Sequence, residues 1–223
     1  MNVDEFREEF DILYNNLASG KAPALDDYEI SVFLTMAEEE LVKSWYEGST
    51  IESSFEENEK KRRMLDSLIK TAKITDSLQI NDNISSISKF YELPDDLLYI
   101  TMESVDFVDG AVCGDGTGIP VIPTSQDSYA KIKNNPFRRA SKNRVLRLDA
   151  GDNIAELISP IGIKQYIIRY IRKPNPIILS DLEDGLSINN QTQKRECELD
   201  SSVHREIVNA AVILAINSFS QAR

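Results

Sequence analysis

Few residues of this 223-residue chain could do chemistry, and they are scattered. The one histidine is His204. A nucleophilic triad or a zinc site built on it needs partners in fixed roles and spacing, and no motif supplies them, so His204 reads as a packed or surface histidine. Adjacent carboxylates occur at Asp26-Asp27 and Asp95-Asp96. A pair of acids can hydrolyse a glycosidic bond, but these fit a helix start and a turn after Pro94 better. Cys113-Gly-Asp-Gly-Thr-Gly invites comparison with a phosphate loop. It lacks the Gly-Lys-Ser/Thr ending and the dinucleotide spacing, and no helical pattern follows at once. A hairpin or Ω-loop tip accounts for its glycines. Cys113 and Cys197 have no metal-ligand spacing and read as reduced thiols of a cytosolic protein. No catalytic, metal-binding or cofactor-binding residue is assigned, and the chain is expected not to be an enzyme.

One constellation remains. Lys131, Lys133, Arg138, Arg139, Lys142, Arg144 and Arg147 fall within seventeen residues that contain no acid. Such a run can be a solvated loop, a phosphate contact or a surface that docks on an acidic neighbour. Only Tyr129 and Phe137 supply aromatics there, which is poor support for a stacking platform for single strands. The rest of the charge is uneven too. Residues 1–60 hold sixteen acids and four bases, a balance of −12 that equals the net charge of the whole chain. The acids fit the solvated faces of helices, or an acidic surface that meets a basic partner or repels nucleic acid.

The elements that must position these residues follow from periodicity. Val3, Phe6, Phe10, Leu13 and Leu17 recur at helical spacing. Asp26 and Glu29 make a capping-box start for a helix carrying Val32, Phe33, Met36, Ala37, Leu41 and Trp45. A third helix is expected from Ser53 or Ser54, with Met64, Leu65, Leu68, Ile69 and Ala72 as its apolar stripe. The period then changes. Residues 97–108, 145–148, 154–158 and 163–173 read as strands, the last three as an antiparallel meander with Asp149-Ala-Gly-Asp-Asn as a hairpin connection. A short helix lies between, capped by Thr124 or Ser125. At the end, Asp200, Ser201 or Ser202 caps a helix with Val203, Ile207, Val208, Ala211, Val212, Leu214 and Ala215 on one side. The expected fold is α+β: N-terminal helices, a central mostly antiparallel sheet, and a C-terminal helix packed on that sheet. Its regions are an acidic helical one over 1–74 and an α+β one over 75–223, forming one compact unit. No apolar run approaches ~18 residues, so no membrane span is expected, and the N-terminus has no secretory pattern.

Three stretches carry a resemblance. They are Ala24-Leu-Asp-Asp-Tyr-Glu-Ile-Ser-Val-Phe running to Tyr46-Glu-Gly, Lys131-Ile-Lys-Asn-Asn-Pro-Phe-Arg-Arg through Arg144-Val-Leu-Arg-Leu, and Glu198-Leu-Asp-Ser-Ser-Val-His-Arg-Glu-Ile-Val-Asn-Ala-Ala-Val. The chain resembles virion proteins of crAss-like tailed bacteriophages, specifically ring (adaptor) proteins of the head-to-tail connector. The resemblance implies a structural protein made in the host bacterial cytoplasm and found in the virion. It implies a homo-oligomeric ring of about twelve copies closed by rotation, with the portal protein and other connector or tail rings as partners and double-stranded DNA passing through the lumen. No active-site residue transfers with it. Two other readings stay open: a nucleic-acid-binding protein that uses the basic segment, and a stand-alone acidic interaction protein such as a DNA mimic.

Overall fold

The computed structural model describes residues 1–17, 23–47, 63–80, 84–108 and 116–221. The chain divides into two compact units, Met1–Leu68 together with Lys173–Arg223, and Ile69–Arg172. The α+β class and the mostly antiparallel sheet are as the sequence indicates.

The first unit is helical. Helix α1 spans Val3–Leu17 and α2 spans Asp27–Glu47. Each opens on a reciprocal box. Asn2 Oδ1 accepts from the Glu5 amide at 2.8 Å while Glu5 Oε2 accepts from the Asn2 amide at 2.9 Å. Asp26 Oδ1 accepts from the Glu29 amide at 2.7 Å, and Glu29 Oε2 from that of Asp26 at 3.1 Å. Two otherwise orphaned donors are satisfied at each end. Phe6, Phe10 and Tyr14 of α1 and Ile30, Leu34, Ala37 and Trp45 of α2 are buried. The C-terminal helix, here α4, spans His204–Gln221 and follows a 3₁₀ turn at Ser201–Val203 whose N-cap is Asp200. It packs against α2 and α1. Its buried stripe, Ile207, Val208, Ala211, Val212 and Ala215, includes two alanines, which let helices approach closely. An extended segment also belongs here. Ile177, Ile178 and Leu179 are buried; the Ile178 backbone bridges to that of Arg195, and the amides on either side are satisfied by α2 side chains. The Ile177 amide donates to Thr35 Oγ1 at 3.1 Å and the Leu179 amide to Ser31 Oγ at 3.0 Å.

The second unit is a seven-stranded sheet: β1 Ile69–Ile74, β2 Ser88–Glu92, β3 Leu97–Phe107, β4 Ile119–Pro123, β5 Val145–Gly151, β6 Ile154–Ile158 and β7 Ile163–Arg172. Their spatial order is β1-β7-β3-β4-β5-β6-β2. Every adjacent pair is antiparallel except β4 and β5. A parallel pair needs a crossover, and residues 124–144, with helix α3 over Gln126–Ile132, supply it. Val105, Phe107, Val145, Leu157, Tyr166 and Ile168 lie in the main core; a smaller cluster joins Tyr129 of α3 to Leu146, Leu148 and Ile158.

Two local expectations change. The third helix was to run through Ala72, but Ile69–Ile74 is an edge strand paired with β7 from Ile69↔Ile171 to Ile74↔Tyr166. Six paired residues outweigh a weak helical period, and Lys70 and Lys73 suit an exposed edge. The expected start of that helix, at 53–62, lies outside the described residues. The meander stops at β6: β7 pairs with β3 and β1 instead. A ten-residue strand finds its longest partner in the eleven-residue β3. The β5–β6 hairpin is as read, with Asp152 and Asn153 at φ 48° and 58°, the left-handed pair a type I′ turn requires. Gly116 and Gly118 sit in the connection between antiparallel β3 and β4 at φ 58° and 64°. Cys113 lies outside the described residues.

Candidate functional site

The basic segment is the β4–β5 crossover. Its inner side is anchored. Ser125 caps α3, its side chain accepting from the Ser128 amide at 3.3 Å, and the Thr124 amide donates to the Arg147 carbonyl at 2.8 Å. Tyr129 is buried on β5 and β6, with Ile132 and Ala140 packed beside it. The outer side is a sequence of short hydrogen-bonded turns. The Asn135 amide donates to the Ile132 carbonyl at 2.9 Å, and the Arg138 and Arg139 amides both donate to the Asn135 carbonyl, at 3.1 and 2.9 Å. Asn135 Oδ1 accepts from the Phe137 amide at 2.9 Å. Such a self-bonded asparagine fixes a turn. Ser141 and Arg144 bridge through their backbones, and Arg144 Nη1 donates to the Arg138 carbonyl at 3.3 Å.

On this frame Lys131, Lys133, Arg138, Arg139 and Lys142 are exposed and Arg144 is half-buried. Among the described residues, none of these six makes an ion pair. Phe137 stands in their midst with 85% of its surface exposed. Sequence reasoning counted Phe137, with Tyr129, only as weak support for a stacking platform; its exposure depends on the turn at Asn135.

Arg147 is different. It lies within β5, and strand alternation sends its side chain to the opposite face from Leu146 and Leu148, away from α3. There it is 11% exposed, and Nη1 lies 3.2 Å from Oε1 of Glu103, itself 6% exposed. Tyr166 Oη donates to Glu103 Oε2 at 2.7 Å. Burial raises the Glu103 carboxyl above its usual range despite both partners. This is a partly desolvated structural pair.

The remaining sequence candidates are placed as follows. His204 is buried, its Nδ1 2.7 Å from the Met1 amine and its Nε2 3.0 Å from the Leu199 carbonyl. Since a carbonyl only accepts, Nε2 carries the hydrogen, and Nδ1 accepts from the ammonium. Burial lowers its pKa. Cys197 is a free thiol that donates to Glu38 Oε1 at 3.3 Å, and burial pushes its pKa up. Asp26 is the α2 cap, while Asp96 pairs with Lys70 at 2.8 Å. Among the described residues, no group of three or more His, Cys, Asp or Glu could hold a metal ion, and no helix is long and apolar enough to cross a membrane.

Against known proteins, the family described as phage tail ring protein 3/4 matches residues 1–223. The chain belongs to that family. It is 43% identical over 224 residues to ring protein 3 of Bacteroides phage crAss001, covering 99% of this chain and 97% of the relative. It is 35% identical over 226 residues to ring protein 4/5 of the same phage, covering 96% and 92%. The resemblance to crAss-like ring proteins seen in three stretches therefore extends over the whole chain.

Proposed function

We propose that this ring protein is a non-enzymatic subunit of the head-to-tail connector, below the portal, where about twelve copies close into a ring. In this reading it joins the portal to the tail and surrounds the path of the double-stranded genome. The observation that carries it is the match to ring proteins over residues 1–223. Charge supports it. Tight binding at many phosphates would stall a moving duplex, and a chain of net charge −12 grips DNA poorly. Lys131, Lys133, Arg138, Arg139, Lys142 and Arg144 belong to the proposed protein–protein interface. Arg147, paired with Glu103, supports the sheet beneath them.

Quantitative peptide mass spectrometry of purified particles tests this. About twelve copies per particle, the number the family resemblance implies for a closed ring, are expected; absence from particles, or one or two copies, removes the reading. A second reading has the exposed bases and Phe137 bind nucleic acid. Filter binding decides it: affinity that falls steeply with salt supports DNA contact, and no binding near physiological salt excludes it.

A further inference from the structure

Phe137 is a large apolar side chain held outward by a turn that does not need it. Its ring contributes little to folding while 85% exposed. Yet its backbone is fixed on both sides, by Asn135 Oδ1 at its own amide and by the Asn135 carbonyl at the next two. Single exposed apolar residues are ordinary. One set on a hydrogen-bonded turn and flanked along the chain by cations that make no ion pair among the described residues matches the anatomy of an interface, an aromatic anchor within a polar, charged rim.

We propose that Phe137 is the anchor by which the basic loop of one protomer docks on the outer face of α1 of a second copy. This rests on the ring reading and names the contact that would close the ring. On α1, Glu5, Glu8, Ile12 and Asn15 recur three and four residues apart, so they form one stripe, and all four are exposed. Ile12 keeps 61% of its surface exposed among these acids and amides. Other acids of α1 are already engaged, Asp4 with Lys194, Glu9 with Arg205 and Asp11 with Arg7, and within the stripe Glu5 holds the Asn2 amide and lies 4.0 Å from the Met1 amine. Glu8 makes no ion pair among the described residues. The two patches match in kind, an apolar residue framed by cations and an apolar residue framed by acids. They are different surfaces of one chain, and a heterologous contact of this sort is what generates rings. The corresponding stripe of α2, Glu29, Met36 and Glu40, is less suited, because Lys43 lies beside it and pairs with Glu39 at 3.9 Å.

Disulfide trapping in the full chain tests the contact. Phe137→Cys and Ile12→Cys protomers carry different tags and are mixed under mild oxidation, with the wild-type chain and a Met36→Cys protomer as baselines. A cross-linked pair that forms between Phe137→Cys and Ile12→Cys, and exceeds both baselines at least about tenfold, is expected. Phe137→Ser should weaken self-association by about tenfold or more, as removal of a buried aromatic anchor does. Arg138→Glu should do likewise, with partial rescue when mixed with Glu8→Arg protomers. The inference falls if wild-type rings form and enter particles but no such cross-link appears, or if Met36→Cys cross-links better. It falls equally if Phe137→Ser assembles normally while salt-sensitive DNA binding is lost. Absence of the wild-type chain from particles would instead remove the ring reading and this contact with it.

Discussion

At the scale of single residues, the charges that stay inside the fold are the most exacting. Glu103 and Arg147 shed most of their water to meet in the sheet. A buried pair adds little net stability, but removing one member strands the other. Arg147→Met should therefore destabilise the protein by about 3 kcal/mol or more, and Glu103→Gln with Arg147→Met should recover much of that, since no buried charge remains. Urea denaturation midpoints of the single and double variants check this. His204 sets a pH limit. Its folded pKa is depressed by burial, so the unfolded chain takes up the proton first. Its contribution is whole above about 6.5, the ordinary histidine value, and is lost as pH falls from there through the folded pKa. Stability of the wild type should drop across that range, and His204→Gln should show a flatter profile. An unchanged profile would mean the imidazole is not held neutral by its site. The lone histidine was read from sequence as packed or surface; its buried place could not be, because Leu199 meets it only through the turn at Asp200 and the Met1 amine only through the packing of α1 on α4.

Elements were legible where a signal was local. The Asp26 and Glu29 box gave the α2 start, and Asp149-Ala-Gly-Asp-Asn gave a hairpin, because both depend on hydrogen bonds or φ angles within a few residues. Segments whose state is set by a distant partner were not. Ile69 and Ala72 continue a helical stripe in sequence, yet β7 draws them into a strand. The partners of α4 lie just as far along the chain: it packs on α1 and α2. The polar work of α2 was invisible for the same reason. Ser31 and Thr35 sit mid-helix, where they favour no particular reading, and only the return of residues 177–179 shows that they replace a strand partner. Thr35→Val keeps the shape and leaves the buried Ile177 amide without its acceptor, a cost of about 1–3 kcal/mol. A lowered thermal midpoint and faster hydrogen exchange at Ile177 should follow, while Ser44→Ala, on an exposed turn of the same helix, should change neither.

For the whole molecule, the question is where its uneven charge goes. The net balance of −12 resides in the first 60 residues, and one crossover of the sheet carries a run of exposed bases, Lys131, Lys133, Arg138, Arg139 and Lys142, with no acid among them. The sequence disclosed both halves of that division. It did not separate Arg147 from the other bases, since a count along the chain cannot see strand alternation. Left in water, exposed bases contribute little to stability, so the crossover is free to serve assembly. Arg138→Glu, Arg139→Glu and Arg144→Glu together test this at the scale of the particle. Arg138 and Arg139 are exposed and Arg144 half-buried, and among the described residues one side-chain hydrogen bond, Arg144 to the Arg138 carbonyl, is at risk. Surface changes of this kind cost about 0.5 kcal/mol or less each, so the protomer should fold with a thermal midpoint close to wild type. Three reversals beside an acidic partner surface introduce like-charge repulsion, and ring or connector assembly should fail or slow markedly at low salt, where screening is weakest. Filled, tailed particles at wild-type yield from the triple variant would show that the crossover is not an assembly surface.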